Sequence, residues 1–209
     1  MIADERSHMS HSARLSRSLL LSGAILATFS ACASDESRFL DDLEGRWELT
    51  RAAEVVSPAG SVYRRETVTF GRDRNVVEAE FYADPELTQL LFVYVSEGPF
   101  TIVGPSELGK DAFEVRLTND AQALELAADV PELLAAVGWD DCGLEVGVAV
   151  DVTNGCASPP LPPADCVERD VWQIVDRDDG TYLRWGDTSI DRCVEAPTRF
   201  DPIDLVRID

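Results

Sequence analysis

Histidine is confined to His8 and His11, and lysine to Lys110. If the leading segment is removed on export, the mature chain has no imidazole. That excludes Ser-His-Asp and Cys-His catalysis, histidine metal ligation and histidine acid-base work together. No tight Cys-x-x-Cys pair is present, so a structural zinc site is not expected. Basic residues are scarce, 18 against 39 acidic ones, for a formal net charge of -21. A nucleic-acid partner needs clustered Lys and Arg against its phosphates, and docking on anionic lipid needs the same. The chain also lacks internal repeats, coiled-coil heptads and a second apolar span.

What remains is enough for one core. The chain has 209 residues, 45% of them hydrophobic, which suits a single all-β domain. Arg14 and Arg17 form a basic leader, and Leu19 to Ala31 is an apolar run too short to span a bilayer in the usual way. It ends Phe29-Ser30-Ala31-Cys32, which resembles the bacterial lipoprotein cleavage site, with Cys32 as the acylated first residue. An ordinary secretory signal with an incidental Cys is the alternative. Met9 offers a second start, since Met1 to His8 adds an untypical acidic extension. Ala33 follows the Cys, where an Asp would resemble an inner-membrane retention signal, so outer-membrane anchoring is expected. On this reading residues 1–31 are signal peptide, 32–42 a polar tether around Asp35 to Asp41, and 43–209 the domain.

The stretch Leu43-Glu44-Gly45-Arg46-Trp47-Glu48-Leu49-Thr50 reads as the opening strand. Gly45 allows a tight turn, and Trp47 then plugs one end of an apolar interior. Ser61 to Phe70 and Ala112 to Thr118 alternate apolar and polar residues, as half-buried strands do. Val76 to Ala83 returns after the turn Gly71 to Asn75 and is broken by Asp84-Pro85. Leu90 to Ser96 and Phe100 to Val103 are expected as separate strands around a tight connection at Glu97-Gly98-Pro99. Asp129 to Val137 carries helix signals: Asp129 as N-cap, Pro131 in the first turn and Gly138 past the end. Leu124 to Ala128 extends it or pairs as a strand. Glu145 to Thr153 reads as strand. Val171 to Val175 and Thr181 to Trp185 flank the hairpin turn Asp178-Asp179-Gly180, and Ile203 to Ile208 closes the sheet. Eight to ten strands and one short helix predict a barrel or half-barrel.

Past the leader the cysteines are Cys142, Cys156, Cys166 and Cys193, an even number that reads as two disulfides in an exported chain. Spacing leaves all three pairings open. Pro159 to Pro163 is read as a stiff loop, with a polyproline ligand as the alternative.

Several short motifs in order add to this. They are Gly45-x-Trp47, Tyr63-Arg64-Arg65 before Phe70, Tyr82-Ala83-Asp84-Pro85 and Gly98-Pro99-Phe100. Cys142-Gly143, Gly147, Asp151-Val152-Thr153, Gly155-Cys156, Tyr182-Leu183-x-Trp185-Gly186 and Pro197-Thr198-x-Phe200 follow. From about Leu43 to Arg207 the chain resembles the adenomatosis polyposis coli down-regulated domain. In animals that domain belongs to membrane-anchored extracellular proteins that inhibit Wnt signalling, and it occurs there in tandem. The resemblance implies a single antiparallel lipocalin-like barrel that binds lipid or an acylated partner, without catalysis. Two family cysteines are absent, at positions resembling Ala53 and Leu87 here. Cys142 and Cys156 match family positions, which implies pairing of those two and hence of Cys166 with Cys193. Each bridge would contribute roughly 2–4 kcal/mol.

Three functions are weighed. The first is a carrier holding an acyl chain or other apolar molecule. Its lining residues would be Trp47, Phe70, Phe81, Phe92, Phe100 and Phe113, with Val115 and Leu117, and Arg64, Tyr82 and Arg116 would be polar contacts. The same side chains would otherwise fill a solid core. The second is a structural or interaction lipoprotein acting through an acidic outer face. The third is a carboxylate-based hydrolase. With so many acids, proximity of one pair means little, and no catalytic residue is assigned. Asp140-Asp141 and Asp176-x-Asp178-Asp179 read as solvated turns rather than calcium loops. No metal or other cofactor is expected, and the oligomeric state is left open.

Overall fold

Alternation at Trp47 and Leu49, Val68 and Phe70, and Phe113 and Val115 puts one side of each strand inside, and the strands curl around that side. The computed structural model describes residues 35–57, 60–154, 162–163 and 165–209. The signal peptide, Cys32, Cys156 and most of the proline-rich run lie outside the described residues. Arg38–Asp209 make one contact unit.

The first strands are β1 (Gly45–Leu49), β2 (Ala53–Ser57), β3 (Gly60–Phe70), β4 (Arg74–Tyr82), β5 (Leu90–Pro105) and β6 (Ala112–Leu117). Then come β7 (Ala121–Leu126), β8 (Ala149–Asp151), β9 (Glu168–Arg177), β10 (Gly180–Arg184) and β11 (Leu205–Arg207). Eight of them close an antiparallel barrel in the order β3-β1-β11-β10-β9-β6-β5-β4, with β4 returning to β3. Strand β2 extends β3, and β7 and β8 continue from the first half of β5. Closure removes the sheet edges of those eight strands.

Two apolar clusters result. The larger fills the barrel and includes Leu43, Trp47, Val68, Phe70, Phe100, Phe113, Trp172, Leu183 and Leu205. Trp47 is fully buried, its indole Nε1 donates to the Leu43 carbonyl at 2.9 Å, and the Arg207 guanidinium lies 4.7 Å from its ring centroid. Gly45 has φ +133°, a backbone that favours glycine, and the adjacent Arg46 N–H donates to Asp209 Oδ1 at 2.6 Å. The smaller cluster gathers Phe92, Leu124, Leu126, Trp139 and Val152 against β5, β7 and β8.

The structure departs from the sequence reading at four places. First, the segment read as a tether is helical over 35–43 (α1). Phe39 and Leu43, spaced i,i+4 on one face, are buried in the barrel cluster, so one short helix becomes two. Leu43→Ala is expected to cost about 2–5 kcal/mol in urea unfolding, whereas exposed Asp41→Ala should stay within about 0.5 kcal/mol. A free tether would make both silent. Second, Gly98-Pro99 is no connection: β5 runs through it unbroken, bonded to β4 as far as Arg74 opposite Pro99. Third, Glu145 to Thr153 is strand only over β8 (Ala149–Asp151), and Leu124–Leu126, left open between helix and strand, is the end of β7. Fourth, the second helix, α2 (Pro131–Val137), starts at Val130 rather than Asp129 and has no side-chain cap, while Gly138 stops it in the left-handed conformation.

Candidate functional site

Two barrel strands carry charge in the inward phase. On β9 the inner positions run Glu168, Asp170, Trp172 and Ile174, and on β3 they run Arg64, Glu66, Val68 and Phe70. Each strand is therefore polar inside at one end and apolar at the other. Glu66, Glu168 and Asp170 are all buried. Burying three carboxylates is costly unless cations and N–H donors meet them.

Asp170 is fully engaged. Its Oδ1 accepts the N–H groups of Val171 at 2.7 Å and Gly186 at 2.8 Å. Its Oδ2 accepts the Trp172 indole at 3.0 Å and Arg192 Nη1 at 2.7 Å. The other arm of Arg192, Nη2, lies 2.6 Å from Glu168 Oε2, whose Oε1 accepts Asn119 Nδ2 at 3.0 Å. Glu66 Oε2 faces Arg64 Nε at 3.1 Å. The Tyr94 hydroxyl donates to Gln122 Oε1 at 2.9 Å, and Gln122 Nε2 donates to the Pro162 carbonyl at 3.1 Å.

Arg192 comes from outside the sheet. It stands at the tip of a strap, residues 186–201, whose legs meet through a bridge between Gly186 and Phe200. The next residue, Cys193, forms a disulfide with Cys166, and the Arg169 N–H donates to the Arg192 carbonyl at 3.0 Å. This is the Cys166–Cys193 pairing that the family resemblance implied, where spacing alone left three open. Cys142 also carries a disulfide, and Cys156 lies outside the described residues.

Burial pushes the Asp170 carboxyl above the usual range, against the pull of Arg192 and the N–H donors. Glu66 is raised for the same first reason, with Arg64 and Arg192 opposing and Asp201 and Glu168 reinforcing. Tyr94 is raised by burial to about 12, which keeps it a donor. Burial lowers the Arg192 pKa, but the facing carboxylates Asp170, Glu168 and Glu66 lift it overall. Three acids against two arginines leave one excess negative charge, which Glu66 can relieve by taking a proton. A carboxyl whose folded pKa is raised stabilises the fold fully below its unfolded value near 4.5, and that contribution is lost as pH rises through the folded value. Glu66→Gln is accordingly expected to gain stability relative to wild type as pH rises above the unfolded value near 4.5, measured by urea unfolding at each pH. A constant difference would mean Glu66 does not titrate there. Asp187 has the opposite sign. Ser189 and Arg199 lower it to about 2, so its contribution is complete above 3.8 and is lost as pH falls toward about 2.

Compared with known proteins, the chain matches no protein-family model and no curated sequence.

The six aromatic side chains expected to line a ligand cavity and Tyr82, expected as a polar contact, divide three ways. Trp47, Phe70, Phe100 and Phe113 belong to the barrel cluster. There the Phe70 ring centroid lies 5.9 Å from Phe100 and 5.0 Å from Trp172, and Phe113 lies 4.6 Å from Phe39. Val115 is buried in the same cluster and Leu117 packs against it. Phe81 and Phe92 stack at 4.4 Å in the second cluster, with Trp139 5.6 Å from Phe92. Tyr82 is buried but belongs to neither cluster, and its hydroxyl donates to Glu80 Oε2 at 2.9 Å beside the Arg65–Glu80 ion pair. Of the suggested polar contacts, Arg64 is inside and Arg116 is exposed.

Glu66, Glu168, Asp170 and Arg192 were not singled out by sequence reasoning. The usable signal was phase: Glu66 shares parity with Val68 and Phe70, and Asp170 with Trp172. Among the described residues no three His, Cys, Asp or Glu side chains are arranged to hold a metal ion. The Asp178-Asp179 turn joins β9 to β10 as a hairpin, with Thr181 Oγ1 donating to Asp176 Oδ1 at 2.8 Å.

Proposed function

We propose that this chain is a non-catalytic envelope lipoprotein, anchored to the outer membrane through Cys32, whose barrel is a solid scaffold acting through its surface. The observation that carries this reading is the contact among Phe70, Phe100 and Trp172, with the Phe100 and Trp172 centroids 5.2 Å apart. Rings at these separations occupy the space that an acyl chain would need. The Arg192 cluster fills the polar end with groups bonded to one another. Two open depressions lie outside the packed interior, one lined by Arg51, Glu54 and Tyr63, the other by Glu48, Arg65 and Glu80. Both are mixed in charge and suit a polar protein partner better than a lipid tail.

A second reading, an apolar-ligand carrier, rests on α2. Its Leu133, Leu134 and Val137 lean on the smaller cluster, yet none of its residues is buried. A helix held this loosely over Phe81 and Phe92 is placed to act as a lid, and a lipid or acylated partner would sit beneath it rather than in the barrel. Mild detergent extraction of the full chain, followed by native mass spectrometry, separates the two readings. A discrete adduct lost on organic extraction, or uptake from a panel of fatty acids and phospholipids, favours the carrier. A clean mass without uptake favours the scaffold. Globomycin-sensitive processing at Cys32 tests the anchor.

A further inference from the structure

We propose that Arg192 and the Cys166–Cys193 disulfide form a redox-sensitive latch on the polar end of the barrel. With the disulfide formed, the strap tip is closed over Asp170 and Glu168. With it reduced, Arg192 withdraws and water enters.

The strap is built in two parts. Its legs are self-supporting. The Asp187 N–H donates to the Arg199 carbonyl at 3.0 Å, and the Asp201 N–H to the Trp185 carbonyl at 2.9 Å. Arg199 pairs with Asp187 at 2.5 Å, and the Thr188 hydroxyl donates to Asp201 Oδ2 at 2.7 Å. None of these needs the tip to be docked. The tip's polar and covalent ties to the wall gather on two consecutive residues, the Arg192 guanidinium and carbonyl and the Cys193 sulfur.

The energetics of those ties explain why the sulfur decides the outcome. A buried ion pair gains little over its desolvation cost, so Arg192 alone leaves docking close to balance. A covalent bond at the next residue holds the guanidinium at a high effective concentration beside its carboxylates. Breaking it removes that advantage while the legs persist. The carboxylates then face Arg64 alone, a cluster two charges negative instead of one.

The redox step balances. A dithiol thiolate attacks the sulfur of Cys193, and Cys166 leaves as thiolate. The donor's second thiol then displaces Cys193 and closes as a disulfide. Two electrons pass to the cysteine pair, and each cysteine leaves as a thiol. Cys193 is only partly buried and its neighbour Val194 is exposed, which gives the attacking thiolate a path to the sulfur.

The test uses the full chain, with and without dithiothreitol, beside a Cys166→Ser/Cys193→Ser variant that leaves the disulfide at Cys142 intact. Two quantities are read: tryptic cleavage after Arg192, and amide exchange of Gly186 and Val171 against Leu183 and Val206 in the barrel. The expected result is cleavage faster by about tenfold or more, with loss of protection at Gly186 and Val171 alone, in both the reduced and the variant chain. Unchanged cleavage on reduction would overturn the latch. So would loss of barrel protection together with the strap in the mildly reduced wild type, because the disulfide would then hold the whole domain.

Discussion

Gly98→Ala is expected to cost roughly 4 kcal/mol or more, a large share of the about 5–15 kcal/mol that holds a domain of this size folded. A Cβ built at Gly98 would lie 1.6 Å from the Thr118 carbonyl oxygen, 2.7 Å from its carbon and 3.0 Å from Asn119 Cα. All three are backbone atoms, so no side-chain rotation relieves the overlap. The crowding has a structural cause. The edge of β5 is paired first by β7 and then by β6, and the chain between them passes directly over Gly98. The Thr118 N–H donates to the Pro99 carbonyl at 3.1 Å and the Asp120 N–H to the Glu97 carbonyl at 2.8 Å, locking that passage on both sides. A methyl group must break one of these bonds or push β6 from the wall. Gly71→Ala is the control: its nearest neighbour would be the Arg74 carbonyl at 3.5 Å, an ordinary contact, and the change should stay below about 1 kcal/mol. Urea unfolding followed by tryptophan fluorescence measures both. Equal small losses would show that the 118–120 passage yields, and that the barrel seam tolerates displacement there.

The same glycine marks where sequence reasoning stopped. Gly98-Pro99 carries the local signature of a turn, and nothing in neighbouring residues reveals that another segment bonds across it. Alternation, by contrast, is a local property, and it marked β3 and β6 as half-buried strands, with Phe113 and Val115 of β6 on the inward face. Asp84 was legible for a related reason. Its carboxylate accepts the N–H groups of Thr88 at 3.1 Å and Gln89 at 2.8 Å, an arrangement that short polar side chains before Pro favour by themselves. Helix α1 was missed because its polar residues dominate the composition, although Phe39 and Leu43 already had helical spacing. The barrel aromatics were identified as inward residues, but whether inward residues meet one another or a ligand depends on the closure of eight strands. The polar cluster was least legible. Glu66 lies far along the chain from Glu168 and Arg192, and each looks like an ordinary surface charge until register brings them together. Only phase marks Glu66 and Asp170 in the sequence, a signal the sequence reading passed over: a charged residue in phase with a buried aromatic.

Arg192→Met is expected to lower stability by about 3–5 kcal/mol near neutral pH, because it leaves Asp170 and Glu168 ionised, buried and without their cation. Methionine keeps most of the arginine stem's packing, so the loss reports charge rather than volume. The cost should shrink as pH falls, since burial raises the Asp170 carboxyl and its protonation removes a charge left behind. Adding Glu168→Gln should recover part of the loss, since one Glu168 oxygen still accepts Asn119 and the other loses only Arg192, which a purely steric role for Arg192 would not allow. The disulfide supplies a second comparison. Closing a loop with a sequence separation of 27 should contribute about 3–4 kcal/mol by restricting the unfolded chain. If it acted only there, its removal and Arg192→Met would add. If Cys193 also holds Arg192 against Asp170, the combined variant loses less than the sum, because an undocked arginine has no contact left to lose. A double-mutant cycle by urea unfolding at two pH values distinguishes the cases. Strict additivity would assign the disulfide to the unfolded state alone, and a coupling that weakens with acid would assign part of it to the buried carboxylates.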